Sequence, residues 1–313
     1  MSGAGTKRRA TLVVDTSAAG ERLDLFIARG LAGVSRKAVK KALDGGQVFV
    51  DGRTERRAGH LLGGSETVSV TLDLPEPVPP VPELPILYRD EQLLAVDKPA
   101  GLPSHPTVAG RVNALSLVSE LLHEEGEGIP ILLHRLDADT TGVLLFALTD
   151  AANRELSRQF AEREVEKVYL ALVAGIPPDS FRVNNFLKPG VRGRTVAVAS
   201  GGQPAETFFR TLKINNPPLA KGGKGGFALV EARPKTGRTH QIRAHLAGEG
   251  FPLLGDTLYG GPLLVERGGE RLPIRRHLLH AFRLSFRHPA TGKEMTIEAP
   301  LPADFKAVLN FAF

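Results

Sequence analysis

Between Asp73 and Pro85 the chain carries six prolines, at positions 75, 77, 79, 80, 82 and 85. Each removes a backbone donor and fixes φ near −65°, so no helix interior or central strand can run through this stretch. Such a segment prefers extended polyproline II and behaves as a semi-rigid spacer. It divides the 313 residues into an N-terminal module, 1–72, a linker, 73–85, and a body, 86–313. The body is long enough to bury a full hydrophobic core without disulfides or metals.

Charge follows the same division. The chain holds 40 basic and 34 acidic side chains, a net of +6, and residues 1–60 alone hold 12 basic and six acidic ones. The basic excess of the whole protein therefore sits in its first fifth, as expected for a polyanion-binding module on a neutral body. The plainer alternative is a solvated surface. With no cysteine, a disulfide framework, a thiolate zinc site, an iron–sulfur cluster and a cysteine nucleophile are all excluded. The longest apolar run, Val143 to Leu148, is far short of the ~18 residues of a membrane span. The apolar stretch after Lys7, Arg8 and Arg9 is too short for a secretion signal. A cytoplasmic protein is the expectation.

Within the module, Leu23, Phe26, Ile27 and Leu31 give a helical stripe, and Ser35 is placed to cap a second helix over Arg36 to Asp44. Ala38, Val39, Ala42 and Leu43 line one face of that second helix. Arg36, Lys37, Lys40 and Lys41 line the other. Strands are expected over Gln47 to Val50 and Glu66 to Leu72, with a tight Asp51-Gly52 turn. The body reads as strands broken by helices over Ala114–Leu122, Asn153–Arg163 and Thr239–Ala247. The Gly- and Pro-rich segment Asn215 to Gly226 is a loop between paired strands. The fold class is α+β: a mixed, mainly antiparallel sheet with helices on its sides, plus the small α/β N-terminal module.

Two polar clusters interrupt the apolar pattern. In the first, His134-Arg-Leu-Asp-Ala-Asp-Thr-Thr141 separates two apolar runs, so two buried strands deliver polar groups to one point. Arg135 and Asp137 are two apart and share a face if extended, either as site residues or as a structural ion pair. In the second, Lys235-Thr-Gly-Arg-Thr-His-Gln-Ile-Arg243 opens a helix whose amides can meet an anion. Arg238, Thr239 and Gln241 crowd its start. The glycines around Lys221 and Lys224 lack the register of a P-loop, and the nine histidines show no metal-ligand spacing.

These motifs, in this order, resemble the RluA-type family of RNA pseudouridine synthases with an N-terminal S4-like RNA-binding domain. His134-Arg-Leu-Asp137 with Asp139-Thr-Thr-Gly142 is similar to the family's catalytic loop, and Lys167-Val-Tyr169 to the segment bearing its active-site tyrosine. Thr236 to His245, Gly255-Asp-Thr-Leu-Tyr-Gly260, Asp97-Lys-Pro-Ala-Gly101 and Leu279-His-Ala281 also fit the family. Arg22-Leu-Asp24, Ser35-Arg36 and Gly46 to Gly52 resemble the S4 pattern. Family members commonly carry Lys and Ser where this chain has Ala138 and Thr141. Thr141 keeps the hydroxyl, whereas Ala138 removes one backbone contact to RNA.

The resemblance implies isomerisation of uridine to pseudouridine without metal, redox partner or nucleotide cofactor. Asp137 is then the essential carboxylate, Arg243 its partner and Tyr169 the ring that stacks on uracil. Substrate-binding roles fall to His134, Arg135, Thr141, Arg238, Thr239 and Gln241, and phosphate contacts to Arg36, Lys37, Lys40 and Lys41. RNA is the expected partner, with large-subunit (23S) ribosomal RNA ahead of tRNA, and the expected state is a monomer. Two other classes stay open: a non-catalytic RNA-binding ribosome-assembly factor, and a hydrolase using Asp137 and Asp139 as paired carboxylates.

Overall fold

The computed structural model describes residues 7–31, 34–73, 82–107, 112–126, 128–215, 226–267 and 269–313. Pro75, Pro77, Pro79 and Pro80 of the linker, and the interior of the 215–226 loop, lie outside the described residues. The chain divides into two compact units, 1–80 and 81–313.

The first unit contains β1 (Lys7–Val13), α1 (Leu23–Gly30), α2 (Arg36–Asp44), β2 (Val48–Val50), β3 (Arg53–Thr54) and β4 (Thr67–Asp73). Its sheet runs β1-β4-β2-β3, all antiparallel. The expected cap is present: Ala38 N–H donates to Ser35 Oγ at 3.2 Å. Val39, Ala42 and Leu43 are buried against the sheet, while Arg36, Lys37, Lys40 and Lys41 are exposed. Asp51 (φ 49°) and Gly52 (φ 78°) form the two-residue turn joining β2 to β3. Two left-handed residues match the twist of the flanking strands, which is why an Asp-Gly pair marks such a hairpin.

The second unit contains β5 (Ile86–Arg89), β6 (Leu93–Lys98), α3 (Ala114–Glu124), β7 (Ile131–Leu132), β8 (Thr141–Ala147), α4 (Asp150–Ala161), β9 (Glu166–Ala174), β10 (Ser180–Pro189) and β11 (Thr195–Val198). There follow β12 (Gln203–Asn215), β13 (Phe227–Pro234), α5 (Gln241–Gly248), β14 (Leu264–Arg267), β15 (Glu270–Pro273), β16 (Leu279–Arg287), β17 (Glu294–Glu298) and α6 (Ala303–Ala312). One large sheet runs β11-β10-β12-β13-β9-β16-β8-β6-β5, with β7 and β17 joined at β8 and β16. Among the described residues only β16 and β8 pair in parallel.

The sheet is covered on both faces at its centre, which explains the unbroken apolar run of β8. Leu144 and Phe146 face α3 through Val118 and Leu122. Val143 and Leu145 face α4 through Leu156. At the other end α5 places Ile242 and Leu246 against Phe209, Val230 and Ala232. Register then brings distant residues together: Gly142 pairs with Ala281, Ala281 with Tyr169, and Tyr169 with Ala232. Gly142 has φ 111°, and a Cβ there would lie 2.2 Å from the Ala281 carbonyl oxygen, so this close approach requires glycine.

Two helix starts differ from the sequence reading. The helix expected from Asn153 begins at Asp150, because the Thr149 hydroxyl caps Ala152 N–H. The helix expected from Thr239 begins at Gln241, because His240 is left-handed (φ 53°, ψ 22°) and cannot lie inside a helix. Arg238 and Thr239 therefore belong to the preceding turn. Strands β10, β14, β15, β16 and β17 and helix α6 are among the elements additional to those read from the sequence.

Candidate active site

The segment between β7 and β8 is held at nearly every residue. Leu136 N–H donates to Ser104 Oγ (2.9 Å), whose hydroxyl donates to the Leu136 carbonyl (2.8 Å). Lys98, fully buried, gives its three N–H donors to the carbonyls of Ala138, Leu102 and Pro99, each at 2.8 Å. Burial lowers its pKa to about 7. Arg276 Nη1 donates to the Asp139 carbonyl (2.9 Å) and forks onto Asp304 of α6. Thr140 Oγ1 lies 2.9 Å from His277 Nε2, and Thr141 Oγ1 lies 2.8 Å from His280 Nδ1. Such a heavily bonded loop fixes the position of the partly exposed Asp137 side chain.

Asp137 meets Arg243 from the second turn-and-helix segment. Arg243 Nη1 donates to Asp137 Oδ2 at 2.8 Å. The rest of the guanidinium forks onto Asp256, with Nε to Oδ2 at 2.8 Å and Nη2 to Oδ1 at 3.0 Å. Side-chain exposure is 25% for Asp137, 8% for Arg243 and 1% for Asp256. Burial alone would disfavour the cation, but its hydrogen bonds to both carboxylates raise the Arg243 pKa. Three charged groups in a line carry a net −1, with the open end at Asp137. A planar five-donor fork is what lets one side chain hold two carboxylates at once.

Around this line lie Tyr169, His240 and Tyr259. Tyr169 is half-buried at the centre of the sheet, and burial, with the nearby Asp137 charge, pushes its hydroxyl pKa up. It stays a phenol at any physiological pH. His240 Nε2 is 3.8 Å from Asp137 Oδ2, and its Nδ1 is 3.3 Å from the Tyr259 hydroxyl. Burial lowers the His240 pKa, which favours its neutral form.

The other expected residues separate into two groups. Arg135 is exposed and does not pair with Asp137, so the local ion pair considered from their spacing is replaced by one 106 residues away. Thr239 is exposed, and Arg238 donates to the Pro204 carbonyl. The remainder are taken up inside the fold. His134 accepts Leu145 N–H (3.2 Å) and stacks on Phe160, with its pKa lowered to about 3 by burial and the Lys167 charge. Thr141 is spent on His280. Gln241 ties Thr236, the Arg238 amide, Glu206 and Thr207 together. In the first unit, Arg36 donates to buried Asp24 (3.0 Å), leaving Lys37, Lys40 and Lys41 as the open cations of α2.

Sequence reasoning gave no individual role to Lys98, His240, Asp256, Tyr259, Arg276 or His277. Four of these six lie inside quoted motifs (Asp97 to Gly101, Thr236 to His245, Gly255 to Gly260), but their partners are far off in the chain. No group of acidic and histidine side chains among the described residues has the arrangement of a metal site.

A loop-borne carboxylate held by a buried arginine at the centre of a large mixed sheet, in a chain that begins with a basic α/β module, is the arrangement of an α+β protein with a candidate catalytic centre and a polyanion-binding part. Residues 92–248 match the family described as RNA pseudouridylate synthase, and residues 21–68 match the S4 domain. The ribosomal large subunit pseudouridine synthase D of Xanthomonas campestris pv. campestris is 35% identical, over 95% of this chain and 91% of that protein. An uncharacterized RNA pseudouridine synthase of Aquifex aeolicus is also 35% identical, over 93% of each chain. The solved structure of human RNA pseudouridylate synthase domain containing 4 is 29% identical, with a TM-score of 0.57 over 72% of this chain and 92% of that one. The chain belongs to the RNA pseudouridylate synthase family: it is an RNA pseudouridine synthase, an isomerase, with an S4 domain in its N-terminal part.

Proposed function

We propose that this enzyme acts on large-subunit ribosomal RNA, with Asp137 as the essential carboxylate on a uridine turned out of its stack. The observation that carries the reading is the Asp137–Arg243–Asp256 line. It presents one partly exposed carboxylate paired with a buried guanidinium, on a loop whose backbone is bonded on both sides of it. Relatives named for ribosomal large subunit activity support the choice of RNA.

In the reaction the bond from uracil N1 to ribose C1′ breaks, the base turns, and a bond from C5 to C1′ forms. The C5 proton leaves and N1 gains one, so the net change is an isomerisation. An ionised Asp137 serves either as the nucleophile at C1′ or as the base that removes a ribose proton to give a glycal. In both roles the Arg243 charge lowers the cost of holding a carboxylate in a partly buried site. Tyr169 stacks on uracil, and its hydroxyl is available to assist a proton transfer. Arg135, exposed beside Asp137, braces the RNA vacated by the flipped base. Extrusion costs a few kcal/mol, least from loops and single strands. Lys37, Lys40 and Lys41 hold phosphates and add affinity rather than base choice.

The test of substrate class is release of tritium from RNA labelled at uracil C5, offered as unmodified 23S transcript and as tRNA. Release from 23S RNA alone is expected. Release from tRNA alone would overturn the assignment to ribosomal RNA.

A further inference from the structure

The hairpin joining β10 to β11 carries Lys188, Arg192 and Arg194, all exposed, and none meets a carboxylate at ion-pair distance among the described residues. The hairpin is a fixed structure. Gly190 N–H donates to the Arg194 carbonyl (2.7 Å) and Arg194 N–H to the Val191 carbonyl (3.2 Å). Arg192 holds a left-handed backbone (φ 54°, ψ 33°), a conformation unfavourable for a side chain with no local hydrogen-bonding oxygen. Its base is bolted to the active site: Thr195 N–H donates to the Tyr259 hydroxyl (2.7 Å), which donates back to the Thr195 carbonyl (3.0 Å).

Tyr259 also carries two cations in unlike surroundings. The guanidinium groups of Arg194 and Arg243 each lie 5.2 Å from the centre of its ring. Arg243 is compensated by Asp137 and Asp256, whereas the exposed Arg194 meets no carboxylate at ion-pair distance among the described residues. An exposed guanidinium on the ring that also carries Arg243 is a cation held at a fixed place beside the site, and the substrate supplies phosphates on each side of the target nucleotide. We propose that this hairpin is an RNA-phosphate grip of the catalytic unit. Arg194 and Arg192 contact backbone phosphates flanking the target uridine, and Tyr259 is the positioning residue that fixes the grip relative to Arg243 and Asp137. The proposal rests on the pseudouridine-synthase reading of this same site and adds where the substrate backbone is held.

The experiment compares the full-length wild type, Arg192→Ala/Arg194→Ala, and Lys293→Ala/Lys306→Ala. The last pair removes the same charge from exposed positions outside the site. Binding of unmodified 23S transcript is measured from 50 to 200 mM salt, and tritium release gives KM and kcat. With each phosphate contact contributing about 0.7 to the log–log salt slope on single strands, the hairpin variant should lose about 1.4. Its KM should rise several-fold, with the smaller share of the loss in kcat. An unchanged slope and KM overturn the grip, as does an equal change in the lysine control, which would mean diffuse charge. Because slope is read from binding and turnover from tritium, failure of the grip and failure of the catalytic reading are separate results.

Discussion

Replacing Asp256 by Asn tests whether Arg243 is aimed by its second carboxylate. The substitution keeps the shape and one acceptor oxygen but removes a charge that is 1% exposed and forked onto Arg243. It also turns an amide N–H₂ toward guanidinium donors. Breaking a buried pair costs about 3–5 kcal/mol, and the retained acceptor places this change at the low end, ~3 kcal/mol. For a catalytic unit of this size that corresponds to a fall in Tm of roughly 6–12 °C. Freed from the fork, the guanidinium can rotate, and its Nη1 leaves the 2.8 Å contact with Asp137. A displacement of about 1 Å at such a contact costs on the order of 100-fold in rate. Thermal unfolding and single-turnover tritium release below the new Tm are the two readouts. A lower Tm with an unchanged rate would refute the positioning argument, and an unchanged Tm would refute the buried-pair argument.

Other expectations follow from the same geometry. Tyr169→Leu removes an aromatic face worth ~1–3 kcal/mol in base stacking, so turnover should fall by about 5- to 150-fold, with Tyr169→Phe losing less. Equal losses in the two variants would move the weight from the ring to the hydroxyl. The triple variant Lys37→Ala/Lys40→Ala/Lys41→Ala should flatten the salt slope of RNA binding by about 2, with most of the loss in affinity and little in single-turnover rate. A steep pH dependence of stability is expected from buried histidines: pKa values fall to about 3 for His134 and about 4 for His245, His277 and His280. All are depressed below the unfolded value of ~6.5, so the unfolded chain binds more protons and stability is lost as pH falls from about 6.5 toward 4. Each contributes up to about 1.4 kcal/mol per pH unit. Urea midpoints that stay level from pH 7 to pH 5 would contradict this.

The parts of the fold that were legible in the sequence are those specified by neighbours along the chain. Helix α2 was readable because a Ser cap, an apolar stripe and a basic stripe all agree within ten residues, and the β2–β3 turn because Asp-Gly supplies two left-handed positions. The start of α5 was misjudged because nothing local marks His240 as left-handed: its backbone is set by the turn that Gln241 closes onto Thr236 and the Arg238 amide. Strand β16 escaped because its place between β8 and β9 depends on pairings more than 100 residues apart. The same holds at the site. Asp137 and Arg243 were named through family resemblance, since no spacing rule links residues 106 apart. Local spacing instead suggested Arg135, which the structure leaves exposed. Asp256 lay within a quoted motif, yet its task is visible only once the Arg243 fork is seen.

Asp137→Asn removes the carboxylate proposed to carry the chemistry and leaves the rest of the site in place. The residue is only partly buried and the amide is isosteric, so the protein should fold and bind 23S transcript with an affinity near that of the wild type. Tritium release from C5 should then fall to the background of the RNA alone under single-turnover conditions. Release at the wild-type rate by a folded, RNA-bound Asp137→Asn enzyme would contradict that role and assign the reaction to another carboxylate.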